Sequence, residues 1–393
     1  MLKYRFKQDN GSEYPDWDNF TLDKCCNCFD SKRIPISEQN RIKGSYPYYG
    51  ANGIQDYVND YIFDGEYMLL AEDGGHYKEY KTRPIAQYVT GKFWVNNHAH
   101  ILQSKDEFYN KFVFYCLEHK NIIPVVKGST RGKLNQSDMW KIEISIPINY
   151  DEQQKIADFL SAVDNQINIQ RQRVEIMETQ KKGLLDKVFS QELRFKQDDG
   201  SDYPNWENEC LGHLCTIGDG LHGTPNFDKT GKYYFINGNN LSNKKIVFTN
   251  DTDKVNEVMY EKHKIDIPID TVMMSINGTI GNTALYNNEP VILGKSVAYF
   301  IIKDSSKLVS RFLIQFLITD LAKKLYRGNM PGTTIKNLGL TTLRNLWFKK
   351  PCPEEQQKIA NFFTAIDNQI DIEKQRLTTM ETIKKGLLQQ MFC

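Results

Sequence analysis

Residues 152–189 repeat an unbroken 4,3,4,3 spacing at Ile156, Leu160, Val163, Ile167, Gln170, Val174, Met177, Lys181, Leu184 and Val188. This is the heptad seam of a coiled coil. The spacing returns at Ile359, Phe363, Ile366, Ile370, Glu373, Leu377, Met380, Lys384, Leu387 and Met391. Both copies break the apolar seam at the same two places, with Gln170 or Glu373 and with Lys181 or Lys384. Polar seam residues cost stability and can fix register. Neither stretch contains proline, and each begins behind acids, at Asp151-Glu152 and Pro353-Glu354-Glu355, which favour a helix N-terminus. The pattern predicts two helices roughly 55 Å long at about 1.5 Å per residue. Each needs a partner for its apolar stripe, and its own copy, laid antiparallel, is the nearest candidate. The alternative is that each packs only on its own domain; the near-identity of the two copies on every face argues against it, because unlike domains require unlike contact surfaces.

Elsewhere the pattern is shorter in period. Tyr67-Met68-Leu69-Leu70, Ile144-Ser145-Ile146, Thr271 to Ile276 and Val297 to Ile302 read as strands, and Phe108–His119 and Lys307–Arg327 have helical spacing. Gly and Asn interrupt the strands at Tyr49-Gly50-Ala51-Asn52-Gly53, Asn237-Gly238-Asn239-Asn240 and Asn277-Gly278-Thr279. The expected fold is a pair of α/β (α+β) domains separated by two long antiparallel coiled-coil helices.

The chain is written twice. RFKQDNGSEYPDW at 5–17 and RFKQDDGSDYPNW at 194–206 agree at ten of thirteen positions, and the 38-residue blocks 152–189 and 355–392 share 24 identities. Residues 18–151 and 207–354 diverge, except that Leu134, Met139, Ile142 and Pro147 echo Leu338, Leu343, Leu346 and Pro351. A pseudo-twofold chain follows: a variable domain at 1–151, a helix at 152–192, a second variable domain at 193–353 and a second helix at 354–393. Two different heads are held in one repeated frame.

Composition narrows the class. With 393 residues, 40% hydrophobic and 25% charged, the chain is long and apolar enough for several packed cores. It has no run long enough for a membrane span and no apolar leader, so a cytoplasmic location is expected. Fifty basic against 49 acidic residues give +1, which weighs against a protein gripping nucleic acid unaided. The charge is unevenly spread: residues 193–353 carry 20 basic and 16 acidic groups, with Lys323, Lys324, Arg327, Lys336 and Arg344 close in sequence. The eight cysteines lack the paired spacing of a zinc site and read as free thiols.

Catalytic signatures fail on context. Gly218-Asp219-Gly220-Leu221-His222-Gly223 fits a dinucleotide fingerprint, but Thr224-Pro225 stands where the phosphate-binding helix would start. Gly294-Lys295-Ser296 resembles the end of a phosphate loop, yet position 289 is Glu. No Pro-Pro dipeptide supports an amino-methylating transferase, and no His pair has metal-ligand spacing; Glu72-Asp73 with Glu79 and Lys81 is the remaining carboxylate grouping a nuclease could use. The loops instead carry groups suited to base edges and phosphates: Asn pairs with adenine, Arg or Lys with guanine, and hydroxyls and Gly-rich turns with phosphate. Candidate DNA contacts are Tyr49, Asn52, His76, Asn97, Lys127, Ser129, Thr130, Arg131 and Lys133 in the first variable domain. In the second they are His222, Thr224, Asn237, Asn239, Asn240, Asn277, Thr279, Lys295, Arg327, Asn329, Thr333, Thr334 and Lys336. No catalytic or metal-ligating residue is assigned.

EQQKIADFL and EQQKIANFF, each followed by DNQI and KKGLL, together with the openings NGSEYPDW and DGSDYPNW, resemble the specificity (S) subunit of type I restriction-modification enzymes over the whole chain. The stretches Ser45–Ile54 with Phe63–Tyr67, and Gly218–Pro225 with Ser275–Asn282, resemble two classes of its target-recognition domain. The resemblance implies a non-catalytic subunit reading a bipartite duplex, one half per domain, with paired helices that fix the spacing and dock two modification subunits. It implies no cofactor on this chain; S-adenosylmethionine, ATP and Mg belong to the modification and restriction subunits. A coiled-coil scaffold binding protein, and a self-sufficient nuclease or methyltransferase, are the competing readings.

Overall fold

The computed structural model describes residues 5–128, 131–327 and 337–392. The chain forms two compact units, Met1–Arg171 with Arg376–Cys393, and Gln172–Gln375. Each unit takes one variable domain and parts of both long helices, Tyr150–Phe189 and Pro353–Phe392. No helix among the described residues is long and apolar enough to cross a membrane.

Unit 1 is built on a six-stranded sheet in the order Cys26–Cys28, Ala99–Ser104, Phe63–Ala71, Ala86–Val95, Lys43–Gly50, Gly53–Val58. Its pairs are antiparallel except Lys43–Gly50 against Ala86–Val95. The central strand is buried on both faces. Met68 and Leu70 enter the core that also holds helix Asn110–Glu118 and the long-helix residues Ile156, Leu160 and Met391, whereas Leu69 packs with Phe63, Phe93 and Ile101 on the other side.

Unit 2 has a four-stranded antiparallel sheet, ordered Cys215–Asp219, Val297–Ile302, Val272–Ser275, Thr283–Leu285, and a three-stranded sheet whose pair Tyr233–Ile236 with Val291–Leu293 is parallel. The helical stretch expected over 307–327 is two helices, Ser310–Leu317 and Asp320–Arg327. The break falls at Thr319, whose hydroxyl donates to Phe316 O at 2.7 Å and accepts from Ala322 N at 3.1 Å, capping the second helix.

The repeated frame performs the same task in each unit. The repeated opening segment latches the start of a long helix through a carboxylate with no solvent exposure. In unit 1 Arg5 donates to both oxygens of Glu152 and to the carbonyls of Tyr14 and Pro15, and Trp17 Nε1 donates to Glu152 at 3.1 Å. In unit 2 Arg194 and Trp206 Nε1 do the same to Glu355, at 2.7 and 3.0 Å, with Tyr203 and Pro204 as the carbonyl partners. The next residue completes the latch. Gln153 donates to Pro147 O and accepts from Tyr109 N, as Gln356 donates to Pro351 O and accepts from Val309 N. The echoed Leu134, Met139 and Ile142, like Leu338, Leu343 and Leu346, are buried in the core of their own unit.

Within each unit the long helices run antiparallel. In unit 1, Asp164 meets Lys384 and Arg171 meets Glu381; in unit 2, Glu178 meets Lys374 and Lys181 meets Asp367. Each unit-2 pair is the repeat equivalent of a unit-1 pair. Every apolar seam position, including Val163, Val174, Met177, Leu184, Ile366, Leu377, Met380 and Leu387, is buried or half-buried. The variable domains complete the shared Asp–Lys pair with opposite charges. In unit 1 Glu118 joins, 2.7 Å from Lys384 Nζ, and in unit 2 Lys244 joins on Asp367.

Candidate nucleic-acid interface

In unit 1 the turn Ala51-Asn52-Gly53 follows the edge of the sheet and faces Asp73, Gly74, His98 and Arg131 across a cleft of about 450 Å³. Asn52 Nδ2 donates to Gly74 O at 3.0 Å, and Arg131 Nε pairs with Asp73 at 2.7 Å while remaining exposed. Asp73 also meets His98 at 3.5 Å. Lys133 lies beside the same wall, 3.8 Å from Glu72, and Lys127 is 2.8 Å from Asp138. Lys127 and Lys141 hold the Asp138 carboxyl well below the usual carboxylate range. Lys127, Arg131 and Lys133 are thus exposed cations held in place by ion pairs to less exposed acids. Asn97 is exposed beside His98, and the half-buried Tyr49 packs edge-on to Phe93; His76 is tied to Arg83 at 3.2 Å, farther along the loop. Ser129 and Thr130 lie outside the described residues.

Beneath the cleft is a buried charge network that spacing alone does not reveal. Arg33 bridges Asp30 at 3.2 Å and Glu72 at 2.5 Å. His100 binds Asp30 through Nδ1 at 2.6 Å and Leu134 O through Nε2 at 2.8 Å. Both ring nitrogens face acceptors, so the ring is held as imidazolium: burial alone would lower its pKa, but Asp30 and its other partners raise it to about 9. Cys28, Asp30 and His100 have ligand atoms within 4.8 Å of one another. An imidazolium with no free lone pair does not fit a metal ligand. Glu72 and Asp73 are neutralised by cations and Glu79 pairs with Arg83, so the acidic grouping offers no carboxylate pair aimed at a common ion.

A pH effect follows with a definite sign. A histidine raised from about 6.5 unfolded to about 9 folded stabilises unit 1 fully below pH 6.5. The contribution, about 3 kcal/mol, is lost as pH rises through 9. Urea unfolding at pH 6 and 9.5 should show this loss, and His100→Gln should be less stable at pH 6 and flatter with pH; equal slopes would refute the assignment.

In unit 2 three turns distant in sequence meet. Asn237 Oδ1 accepts from Ser296 Oγ at 3.0 Å, Ser296 Oγ accepts from Gly238 N at 3.0 Å, and Thr279 Oγ1 contacts Asn239 Oδ1 and Ser275 Oγ, each at 3.3 Å. The approach is close enough to require glycine: a Cβ on Gly238 would lie 2.1 Å from Ser275 Oγ, and one on Gly294 2.4 Å from Asn237 Oδ1. Asn237 and Asn240 are consumed internally, because Asn237 caps the turn Gly238–Asn240 while Asn240 accepts from Asn237 N and donates to Val247 O. Asn239, Thr279 and Lys295 are exposed on this cluster, and Asn277 is half-buried. Lys295 makes no ion pair among the described residues. The His222 loop joins it through the Leu221 N to Leu293 O hydrogen bond at 2.7 Å, with His222 itself held by Asp219 at 2.8 Å and Thr224 exposed. Ser275 and Ser296 lay in stretches that the sequence singled out but were not among the candidate contacts; their role shows only once the turns are assembled. Arg327 ends a helix, and Asn329, Thr333, Thr334 and Lys336 lie outside the described residues.

The model of the type I restriction modification DNA specificity domain matches twice, over residues 14–178 and 203–382. A putative type I restriction enzyme specificity subunit of Haemophilus influenzae is 39% identical over 147 residues, 37% of each chain. The type I restriction enzyme MjaVIII specificity subunit of Methanocaldococcus jannaschii is 23% identical over 421 residues, covering 98% of this chain and 94% of its own. The crystal structure of a type I restriction-modification S subunit from M. genitalium superposes over 100% of this chain and 99% of its own, with a TM-score of 0.59 at 17% identity. A chain from a structural study of complex assembly and conformational transition of the type I R-M system does so with a TM-score of 0.55 at 16% identity, covering 96% and 97%. At these identities the structural likeness is one of fold.

Proposed function

Because the chain belongs to the type I restriction-modification DNA specificity family, we propose that it is the DNA sequence-recognition subunit of such a complex, each variable domain reading one half of a bipartite duplex target. The observation that carries this reading is one duplicated latch and helix frame holding two chemically unlike loop faces. In unit 1, Asn52 and Arg131 would supply the donors to base edges and phosphates, with Lys127 and Lys133 as phosphate contacts. In unit 2, Asn239, Asn277 and Thr279 would face the bases and Lys295 the backbone. The paired helices would act as a coiled-coil spacer, and their repeat presents equivalent surfaces to two modification subunits. Restriction subunits would join the same assembly in the cytoplasm. The role is non-catalytic, and S-adenosylmethionine, ATP and Mg chemistry is assigned to those partners. The near-neutral chain leaves much of the phosphate grip to them as well.

Selection from a randomised duplex library, with the modification subunit present, should return two defined half-sites separated by an unspecified spacer. Asn277→Ala should relax one half by about 1–3 kcal/mol per lost base pairing, and Arg131→Ala should affect only the other half. Absence of any duplex preference, with the modification subunit still bound, would favour the scaffold reading.

A further inference from the structure

The charge inversion in the frame leaves an unmet need in unit 2. Lys384 of unit 1 is flanked by two carboxylates, Asp164 and Glu118. Its equivalent, Lys181, has Asp367 and shares it with Lys244. Where unit 1 has a second acid, unit 2 has a second ammonium, and beside it opens a cleft of about 490 Å³ lined by seven cations and three carboxylates.

Lys244 is placed there at some cost. It sits with Asn243 in the two-residue turn joining Leu241–Ser242 to Lys245–Ile246, at φ +61° and +48°, the left-handed pair of a type I′ turn. Asn suits the first place, but the second normally takes glycine. The side chain is nevertheless driven inward, where Nζ donates to Gln315 Oε1 at 2.7 Å and meets Asp367.

We propose that this cleft binds a small phosphate-bearing ligand, with the ammonium groups of Lys181 and Lys244 at its base and Lys182, Lys245 and Arg311 at its rim. A phosphate oxyanion supplies the negative charge that Glu118 supplies in unit 1. The rim cations are already exposed and tied only to surface acids, Lys182 to Asp320 at 2.9 Å, Lys245 to Asp371 at 2.8 Å and Arg311 to Asp270 at 3.7 Å. Such pairs exchange readily for a multivalent anion. Leu185, Leu285 and Ile314 form an apolar wall beside them, which suits a ligand with an uncharged portion next to its phosphates.

Protonation supports the geometry. Burial, then repulsion from Lys181, pulls the Lys244 ammonium down to about 7 against the attraction of Asp367. These two, with neutral Gln315, are the groups that face it from the long helices and from Ser310–Leu317. Binding an oxyanion restores the proton, so affinity should fall by up to tenfold per pH unit above 7.

The test is calorimetric titration of the full chain with inorganic pyrophosphate at pH 6.5 and 8.5 and constant ionic strength. Saturable binding is expected at pH 6.5, weakened at least tenfold at pH 8.5. Pyrophosphate itself gains negative charge over this interval, so the loss would report the protein, and sulfate, of constant charge, should show the same trend. Lys244→Gln and the exposed rim variant Arg311→Gln should each weaken binding at least fivefold; the rim variant serves if the first fails to fold. No saturable heat, or binding indifferent to both variants, overturns the proposal. So does an Arg311→Gln variant that loses duplex binding while pyrophosphate neither binds nor competes, which would make the cleft a DNA-backbone contact.

Discussion

Lys384→Met should destabilise unit 1 by about 3–5 kcal/mol, whereas Lys181→Met, the same change at the repeat-equivalent position, should cost unit 2 far less. The two lysines have the same place in the frame and different company. Removing Lys384 strands Glu118 and leaves Asp164 with only the Tyr115 hydroxyl at 2.7 Å, both acids lying 2.7 Å from the lost ammonium and mostly withdrawn from water. Glu118 Oε2 is buried without a hydrogen-bond partner, so its charge has little else to fall back on. Removing Lys181 leaves Asp367 paired with Lys244 and deletes a repulsion between two ammonium groups. Hydrogen exchange resolved by peptide measures each unit separately, which a single melting temperature of a two-unit chain does not. Equal losses in the two variants would show that the third charged group brought by each variable domain is immaterial. Adding Glu118→Gln to Lys384→Met should recover part of the loss, because one stranded charge is then gone.

The parts of the molecule that repeat were the parts legible in sequence. Heptad spacing marked both long helices, Tyr150–Phe189 and Pro353–Phe392, because a helix that buries one stripe must repeat it. Strands such as Val297–Ile302, outside the repeat, were also readable, as short apolar runs. The function of Arg5 and Glu152 was not. The opening segment was recognisable as a repeat, but nothing in its spacing says that its arginine reaches a carboxylate 147 positions away. Sequence treated Glu152 only as an acid favouring a helix N-terminus, whereas it is fully buried and paired with Arg5, a role that belongs to tertiary packing. The loop faces were legible in part. Asn and Gly clusters marked turns, yet whether an asparagine is spent inside the fold, as Asn240 is on Asn237 N and Val247 O, or stays exposed, as Asn239 does beside Thr279, depends on partners that only the folded chain supplies. Charge partners that lie far apart in sequence, such as Arg33 with Glu72 or Lys244 with Asp367, leave no local periodicity to detect.

Arg194→Ala should cost unit 2 about 3–5 kcal/mol, a large share of the 5–15 kcal/mol that usually holds a domain folded. Glu355 has no solvent exposure, and Arg194 supplies the charge that balances it. The indole N–H of Trp206 remains in the variant, but a single neutral donor does not replace a guanidinium that also ties Tyr203 O and Pro204 O. The loss should be local: amides of Pro353–Phe363 and Glu207–Cys210 should exchange faster while unit 1 keeps its protection, and Arg5→Ala should reverse the pattern. Trp206→Phe should cost less, about 1–3 kcal/mol, because it removes one hydrogen bond and leaves the ion pair. The discriminating variant is the double substitution Arg194→Met with Glu355→Leu. A buried ion pair replaced whole by apolar side chains of similar volume is often neutral, so the double variant should be more stable than Arg194→Ala. A double variant as unstable as the single would mean that the latch acts through the geometry of its carbonyl contacts, and that the buried carboxylate is not what the arginine is there to balance.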